Sequence, residues 1–384
     1  MFNVIITGIT SFLTDLSTEM VYPLIPLFLT TLTGSPWSAL GLIEGFSEST
    51  ASLLKVFSGQ VSDRAGRRKP LAILGYAGST LGKVLFYLAQ GWGMVFAGRL
   101  ADRVGKGIRT APRDAIIADS TRAGQRGAAF GLHRAMDTIG AAAGVAVAIL
   151  LVSRFPLVPQ RADFLPVFLL ALVPQALGVA VLFLVRETRS GPTGTRSVRL
   201  SFRDLPVRLR WFFLVVGLFA LGNSSNQFLI LRTKTVGYTI VNTLAVYLLY
   251  NIVYGLLSWP AGRIADAIGR KRLLVAGYAV YGLVYVGFAV LGPGNYAWLP
   301  WLLFGLYGVY SALTEGLEKA FVADIAPQAQ RATFIGLHST LVGIGLLPAS
   351  LAAGLLWGLW GPRAPFWFGG VLGLAAALGL ALVL

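Results

Sequence analysis

Twelve apolar runs, each long enough to cross a bilayer, limit what this chain can fold into more than any other feature. A helical span needs about 20 apolar residues. Runs of that order lie near 3–32, 37–60, 70–90, 93–116, 127–153, 164–185, 210–233, 237–260, 273–291, 297–321, 332–357 and 365–384. Only 12% of the residues are charged, against about 25% in a soluble domain. Zero cysteines exclude disulfides and thiolate chemistry. The first run continues past Asp15 and Glu19 with no basic stretch before it, so it reads as a span and not as a cleaved signal.

The runs form two sets. Gly59–Lys69 reads Gly-Gln-Val-Ser-Asp-Arg-Ala-Gly-Arg-Arg-Lys, and Gly262–Arg272 returns it 203 residues later as Gly-Arg-Ile-Ala-Asp-Ala-Ile-Gly-Arg-Lys-Arg. A second repeat, offset by 205, carries Asp119, Gly131, Leu132, His133 and Gly140 onto Asp324, Gly336, Leu337, His338 and Gly345. A period this long marks duplication of a large unit. The expected fold is an all-α membrane protein with twelve transmembrane helices in two six-helix halves. The expected boundaries are an N-terminal bundle over 1–185, a cytoplasmic linker over 186–210 and a C-terminal bundle over 211–384.

Net charge is +16, yet its placement argues against nucleic acid. Connectors on one side hold 18 Lys and Arg and those on the other side 5. That bias puts the richer side and both termini in the cytoplasm, with attraction to anionic lipid. The expected location is the plasma (inner) membrane, for a monomer.

The two loops resemble the Gly-x-x-x-Asp-x-x-Gly-Arg-basic connection between helices 2 and 3 in each half of major facilitator superfamily transporters. Arg103-Val104-Gly105-Lys106-Gly107 is similar to that family's span-4 motif Arg-x-x-Gln-Gly, with Lys106 in place of Gln. Gly131, Gly140 and Gly144 resemble its span-5 antiporter pattern, with Val145 where Pro is expected. The resemblance implies alternating access between the halves, a central arginine at Arg103 and a bias toward export. It also implies gating roles for Gly59, Asp63, Gly66 and Arg67 and for Gly262, Asp266, Gly269 and Arg270.

Ionisable residues inside the spans are functional candidates, because a charge in hydrocarbon costs at least about 2.5–3.5 kcal/mol unless it pairs or faces a cavity. Asp15 with Glu19, and Glu44 with Glu48, are four residues apart and share a helix face. Arg99, Arg103, Lys106, Arg109 and Arg113 form a stripe on span 4. These acids could serve only to hold span-4 arginines. Four exceed that need, so the proton-coupling candidates are Asp15, Glu19, Glu44, Glu48, Arg103, His133 and Asp137. Lys83 reads as a residue that snorkels outward. All but three of the eighteen charges within spans lie in the first half. The second half is polar and aromatic, and it gives the substrate candidates Asn223, Asn226, Gln227, Tyr250, Asn251, Tyr254 and Glu315, to which Arg109 is added. Small residues in span 5 permit close helix packing.

There is no Gly-x-Ser-x-Gly elbow and no Gly-x4-Gly-Lys-Ser/Thr phosphate loop, and His133 and His338, the only histidines, lie in different halves. An enzyme, a metal site and ATP as driving force are therefore not expected; the expectation is no cofactor, with a proton gradient as energy source. The leading reading is a proton-coupled exporter of a small molecule or ion. The alternatives are an ion-independent facilitator or lipid flippase, and a non-transporting membrane receptor.

Overall fold

The computed structural model describes residues 1–32, 34, 38–65, 67–121, 126–156, 158–187, 206–292, 297–326 and 331–383, without the side chains of 56, 60, 63–65, 126–128 and 331–333. The expected roles of Asp63 and Gly66, and most of the linker, lie outside the described residues. Among them, fourteen helices make up the twelve spans. The first unit holds α1 (Phe2–Val21), α2 (Ile25–Leu29), the part of α3 (Ser38–Ala65) from Phe46 onward, α4 (Lys69–Leu88), α5 (Trp92–Asp119), α6 (Arg126–Val152) and α7 (Arg161–Leu182). The second holds α8 (Val207–Gly222), α9 (Gln227–Thr235), α10 (Ile240–Ile268), α11 (Arg270–Val290), α12 (Leu299–Ile325), α13 (Arg331–Trp360) and α14 (Ala364–Val383).

Two spans are broken where the sequence removes or diverts backbone hydrogen bonds. Pro23 and Pro26 lack an N–H, and span 1 passes through a 3-10 turn, Tyr22–Leu24, between α1 and α2. Span 7, expected as one helix, parts at Ser224–Asn226. There the Phe228 N–H donates to the Ser225 carbonyl at 3.0 Å, and the Ser225 N–H donates to Ser350 Oγ at 3.3 Å. Short polar side chains offer the backbone an alternative to the helix ladder, and the freed groups are paired within protein, as lipid requires.

The chain divides into two compact units, Met1–Ser35 with Phe46–Ser197, and Pro36–Gly45 with Val198–Leu384. Packing inside each repeats the same plan. In the first, α1 lies on α6 and α7, and α4 lies on α5 and α7; in the second, α8 lies on α13 and α14, and α11 lies on α12 and α14. These are the same four span pairings six spans apart, which is what duplication of one bundle produces.

Glycines set the closest crossings. A Cβ on Gly75 of α4 would lie 2.6 Å from the Gly105 carbonyl oxygen of α5, and one on Gly105 would lie 2.7 Å from the Ser79 nitrogen. Gly140 and Gly144 put α6 directly on the α1 backbone at Phe12 and Leu16, whereas nothing lies within 4 Å of Gly131. The packing role read for the span-5 glycines therefore belongs to two of the three. Gly269, between α10 and α11, has φ +95° and ψ 133°, a region essentially closed to residues with a Cβ. Gly269→Ala is expected to cost about 1–3 kcal/mol, read as a lower thermal unfolding midpoint of the purified protein in detergent.

Candidate functional site

The span-4 stripe lies on α5, and two of its cations, Arg99 and Arg103, are buried there around one carboxylate. Asp102 Oδ2 accepts from Arg103 Nη2 at 2.6 Å and Nε at 3.0 Å, and Arg99 Nη1 lies 3.6 Å away. Its other oxygen, Oδ1, faces Lys83 Nζ of α4 at 3.6 Å. Lys83 is 2% exposed and also donates to Gln175 Oε1 of α7 at 3.0 Å and Thr18 Oγ1 of α1 at 3.2 Å. The expectation that Lys83 snorkels is overturned. Its ammonium points inward because α1, α5 and α7 supply three polar partners there.

Glu48 of α3 joins this network from its more open side. Its Oε1 accepts from Arg99 at 2.9 Å and Arg103 at 3.3 Å, and its side chain is 28% exposed. Lys106, the residue that departs from the family motif, lies within electrostatic reach of Glu48, Asp15 and Arg103. Arg109 stacks on the Tyr76 ring at 4.5 Å and donates to Ser79 Oγ, so this substrate candidate is buried against α4.

A second group lies between α1 and α6. The Asp15 and Asp137 carboxyl groups lie within electrostatic reach of each other. Ser11 Oγ donates to Asp137 Oδ1 at 2.7 Å, Arg134 Nη1 lies 3.4 Å from Oδ2, and Arg113 donates to Ser11 Oγ at 3.3 Å. Glu19 is half-buried against Gly144. His133 is 4% exposed, and its Nε2 has no hydrogen-bond partner among the described residues. Glu44 and Glu48 share a helix but not a network: Glu44, fully buried, accepts from Ser225 Oγ at 3.0 Å within the second unit.

In the second unit the polar candidates meet tyrosines. Asn223 Nδ2 donates to Tyr310 Oη at 3.3 Å, Tyr307 Oη donates to Asn226 Oδ1 at 2.7 Å, and Ser311 donates to Tyr250 Oη at 3.5 Å. Tyr254 Oη donates to Glu315 Oε2 at 2.6 Å. Tyr254 also opens a cleft of about 360 Å³ between α10 and α12 that ends at Asp266 and Arg270. Asn251 donates to the Tyr247 carbonyl four residues earlier, and Gln227, the first residue of α9, is buried.

The loop pairings lie inside each unit. Arg270 bridges Asp266 at 3.1 Å and Asp324 at 2.6 Å. In the first unit Arg68 pairs with Asp119 at 2.9 Å, and Arg67 is exposed. Glu187 caps α4 by accepting from the Arg68 N–H at 2.8 Å and the Lys69 N–H at 3.3 Å, where an anion offsets the helix dipole. Gly59 lies on α3 beside Ala111, and a Cβ on Gly262 would meet open space.

The sequence profile of the Major Facilitator Superfamily matches residues 7–348 and 245–384. This chain belongs to the Major Facilitator Superfamily. It is 39% identical over 383 residues to an uncharacterized MFS-type transporter of Methanocaldococcus jannaschii, across 98% of this chain and 93% of the relative. It is 25% identical over 362 residues to the inner membrane transport protein YajR of Escherichia coli, across 92% and 77% of the two chains. Among solved structures, the nucleoside transporter NupG superposes with a TM-score of 0.80 over 99% of both chains at 14% identity, which establishes the fold alone. The superfamily, the apolar helices and these relatives make the chain a multi-pass membrane transporter.

Sequence reading of this superfamily member missed two parts of the site. Tyr281 and Tyr285 of α11 stack at 4.2 Å, and Tyr281 reaches Tyr310 at 4.9 Å. The Tyr281 and Tyr285 rings both lie 6.4 Å from that of Tyr307 of α12, which donates to Asn226. Their spacing was visible, since Tyr278, Tyr281 and Tyr285 recur every three or four residues in an otherwise apolar run. The other miss is Arg232. It stands at the edge of an apolar run in the sequence, but it is 3% exposed and donates to the Phe288 carbonyl at 3.1 Å and to the Leu291 carbonyl, capping the C-terminal end of α11.

Proposed function

We propose that this transporter is a proton-coupled exporter of a small organic molecule, working by alternating access, monomeric in the plasma (inner) membrane with both termini in the cytoplasm. The observation that carries this reading is the Asp15–Asp137 pair. Two carboxyl groups within electrostatic reach of each other inside a membrane resist joint ionisation. The pair is therefore a proton-holding site, and an intramembrane acid at such a site is a relay candidate by default.

Around it the chain supplies the means of moving that proton. Arg134 beside Asp137 and Lys106 near Asp15 supply positive charge at the pair. Arg103, tied to Asp102 and Glu48, sets the field on the same side of the unit. Cargo contacts fall to Asn223, Asn226, Tyr250, Tyr254 and Glu315, which combine amide donors, aromatic faces and one carboxylate. The export direction rests on the span-5 glycine pattern.

The test uses proteoliposomes and a cargo found by thermal-shift screening of small organic compounds. Cargo flux is expected to follow an imposed pH gradient, and Asp15→Asn or Asp137→Asn is expected to reduce gradient-driven flux to the level of protein-free vesicles while the folded yield is kept. Flux that ignores the gradient in the parent protein would falsify coupling and favour the facilitator reading.

A further inference from the structure

The second unit holds one buried ionisable cluster that the reading above leaves unused. Glu318 of α12 accepts from Tyr278 Oη of α11 at 2.8 Å, and its other oxygen lies 3.0 Å from His338 Nε2 of α13. His338 is 2% exposed, Glu318 8%, and the imidazole stacks on Phe212 of α8 with ring centroids 6.1 Å apart. Neither ring nitrogen of His338 makes a well-formed hydrogen bond among the described residues. The other groups facing the pair are Tyr310, within electrostatic reach of Glu318, and the exposed Lys319 beside it on α12. From α8 the ionisable residue nearest in sequence to Phe212 is the half-buried Arg210, and α14 carries no ionisable side chain.

Duplication explains the histidine but not its partner. His133 and His338 correspond across the repeat at an offset of 205, and the residue corresponding to Glu318 at the same offset is Arg113. Arg113 lies within electrostatic reach of His133. The same fold position thus faces a cation in one unit and a carboxylate in the other. A purely architectural histidine would need neither, and an acid in place of a base gives the His338 ring a partner with which it can share a proton.

Chemistry of the pair points the same way. With His338 neutral, a buried Glu318 carboxylate keeps an uncompensated charge, eased by the Tyr278 hydroxyl. With His338 charged, the pair neutralises itself but Nδ1–H is buried without an acceptor, which costs free energy. Each protonation state is incompletely satisfied, and a half-satisfied polar network is one that a small shift of its helices can tip. Its three members sit on α11, α12 and α13, so relative movement of those helices changes the pair directly.

We propose that Glu318 and His338, braced by Tyr278, form a second proton-binding site, so that each unit of this transporter carries its own. The proposal rests on proton coupling as proposed above, but it concerns different residues and can fail alone. The chain has two histidines, so protein with 15N-labelled histidine in lipid nanodiscs gives two sets of ring signals, assigned with His133→Gln and His338→Gln. Between pH 5 and pH 9 the His338 signal is expected to pass from imidazolium to neutral ring. Glu318→Gln is expected to remove that transition from the range, whereas Glu315→Gln leaves it in place. An unchanging His338 signal in folded protein overturns the proposal, and so does a transition indifferent to Glu318→Gln. If His338 titrates as expected while Asp15→Asn leaves gradient-driven flux intact, the first-unit reading fails and the second site stands. If Tyr278→Phe, which keeps the ring, leaves the transition unmoved, the brace is wrong and the two-residue site remains.

Discussion

Asp102→Asn is expected to be the most damaging single substitution among the ionisable residues of the first unit. The carboxylate is 3% exposed and is shared by Arg103, Arg99 and Lys83, whose side chains are 5%, 2% and 2% exposed. Removing one partner of a buried ion pair costs about 3–5 kcal/mol, because the charge left behind is uncompensated. Glu48 still serves Arg99 and Arg103 after the change, but Lys83 retains only the neutral Thr18 and Gln175. The loss should therefore be traceable to Lys83. Adding Lys83→Met to Asp102→Asn is expected to restore part of the stability, although Lys83→Met alone is destabilising, a coupling that a double-mutant cycle measures directly. Asp114→Asn is the contrast: its side chain is 43% exposed and pairs with Arg113 at 2.9 Å, and exposed pairs contribute about 0–1 kcal/mol. Thermal unfolding in detergent, followed by tryptophan fluorescence, ranks the variants. Equal midpoints for Asp102→Asn and Asp114→Asn would show that Asp102 does not hold the cluster.

That cluster also marks how far the sequence was legible. Span count, duplication and the superfamily could be read because they depend on periodic, local quantities: runs of apolar residues, a loop pattern repeated at 203 residues and glycines at helical spacing. The first unit's wealth of charge was equally plain. Which charge meets which was not, because pairing depends on how far each helix is rotated and displaced against its neighbours. Glu44 and Glu48 share a face of α3, yet one accepts from Ser225 and the other from Arg99 and Arg103. Asp15 was legible as a candidate, but its partner Asp137 lies on another helix 122 positions away. Lys83 looked like an ordinary snorkelling lysine because nothing near it in sequence is acidic. Its partners, Asp102 and Gln175, come from two other helices. The tyrosines of α11 were passed over for a different reason: aromatic residues in a span are commonplace, and only Asn223 and Asn226 give the cluster a polar rim.

Gly140→Val is expected to couple the packing of the first unit to its proton site. A Cβ at position 140 would overlap the Phe12 carbonyl oxygen and lie 2.8 Å from the Phe12 Cα. Both are backbone atoms that cannot rotate aside, so α1 and α6 must separate. Such overpacking costs about 1–3 kcal/mol, and the lipid-facing alternative offers no hydrophobic compensation, since close contact itself drives association of helices in membranes. The functional consequence follows from position. Asp137 precedes Gly140 by three residues on α6, and Asp15 follows Phe12 by three on α1, so the crossing that brings the two backbones together also brings the two carboxyl groups within electrostatic reach of each other. Gly140→Val is therefore expected to abolish gradient-driven flux even in the fraction of protein that folds. Gly131→Val, on the same helix with nothing within 4 Å, is expected to leave packing intact. The decisive comparison is an infrared measurement of the protonated carboxyl band at neutral pH. The band should be lost in Gly140→Val and in Asp15→Asn, and kept in Gly131→Val. A band that persists in Gly140→Val would mean that the Asp15–Asp137 pairing does not depend on this crossing, and the link between the glycine and the proton would have to be dropped.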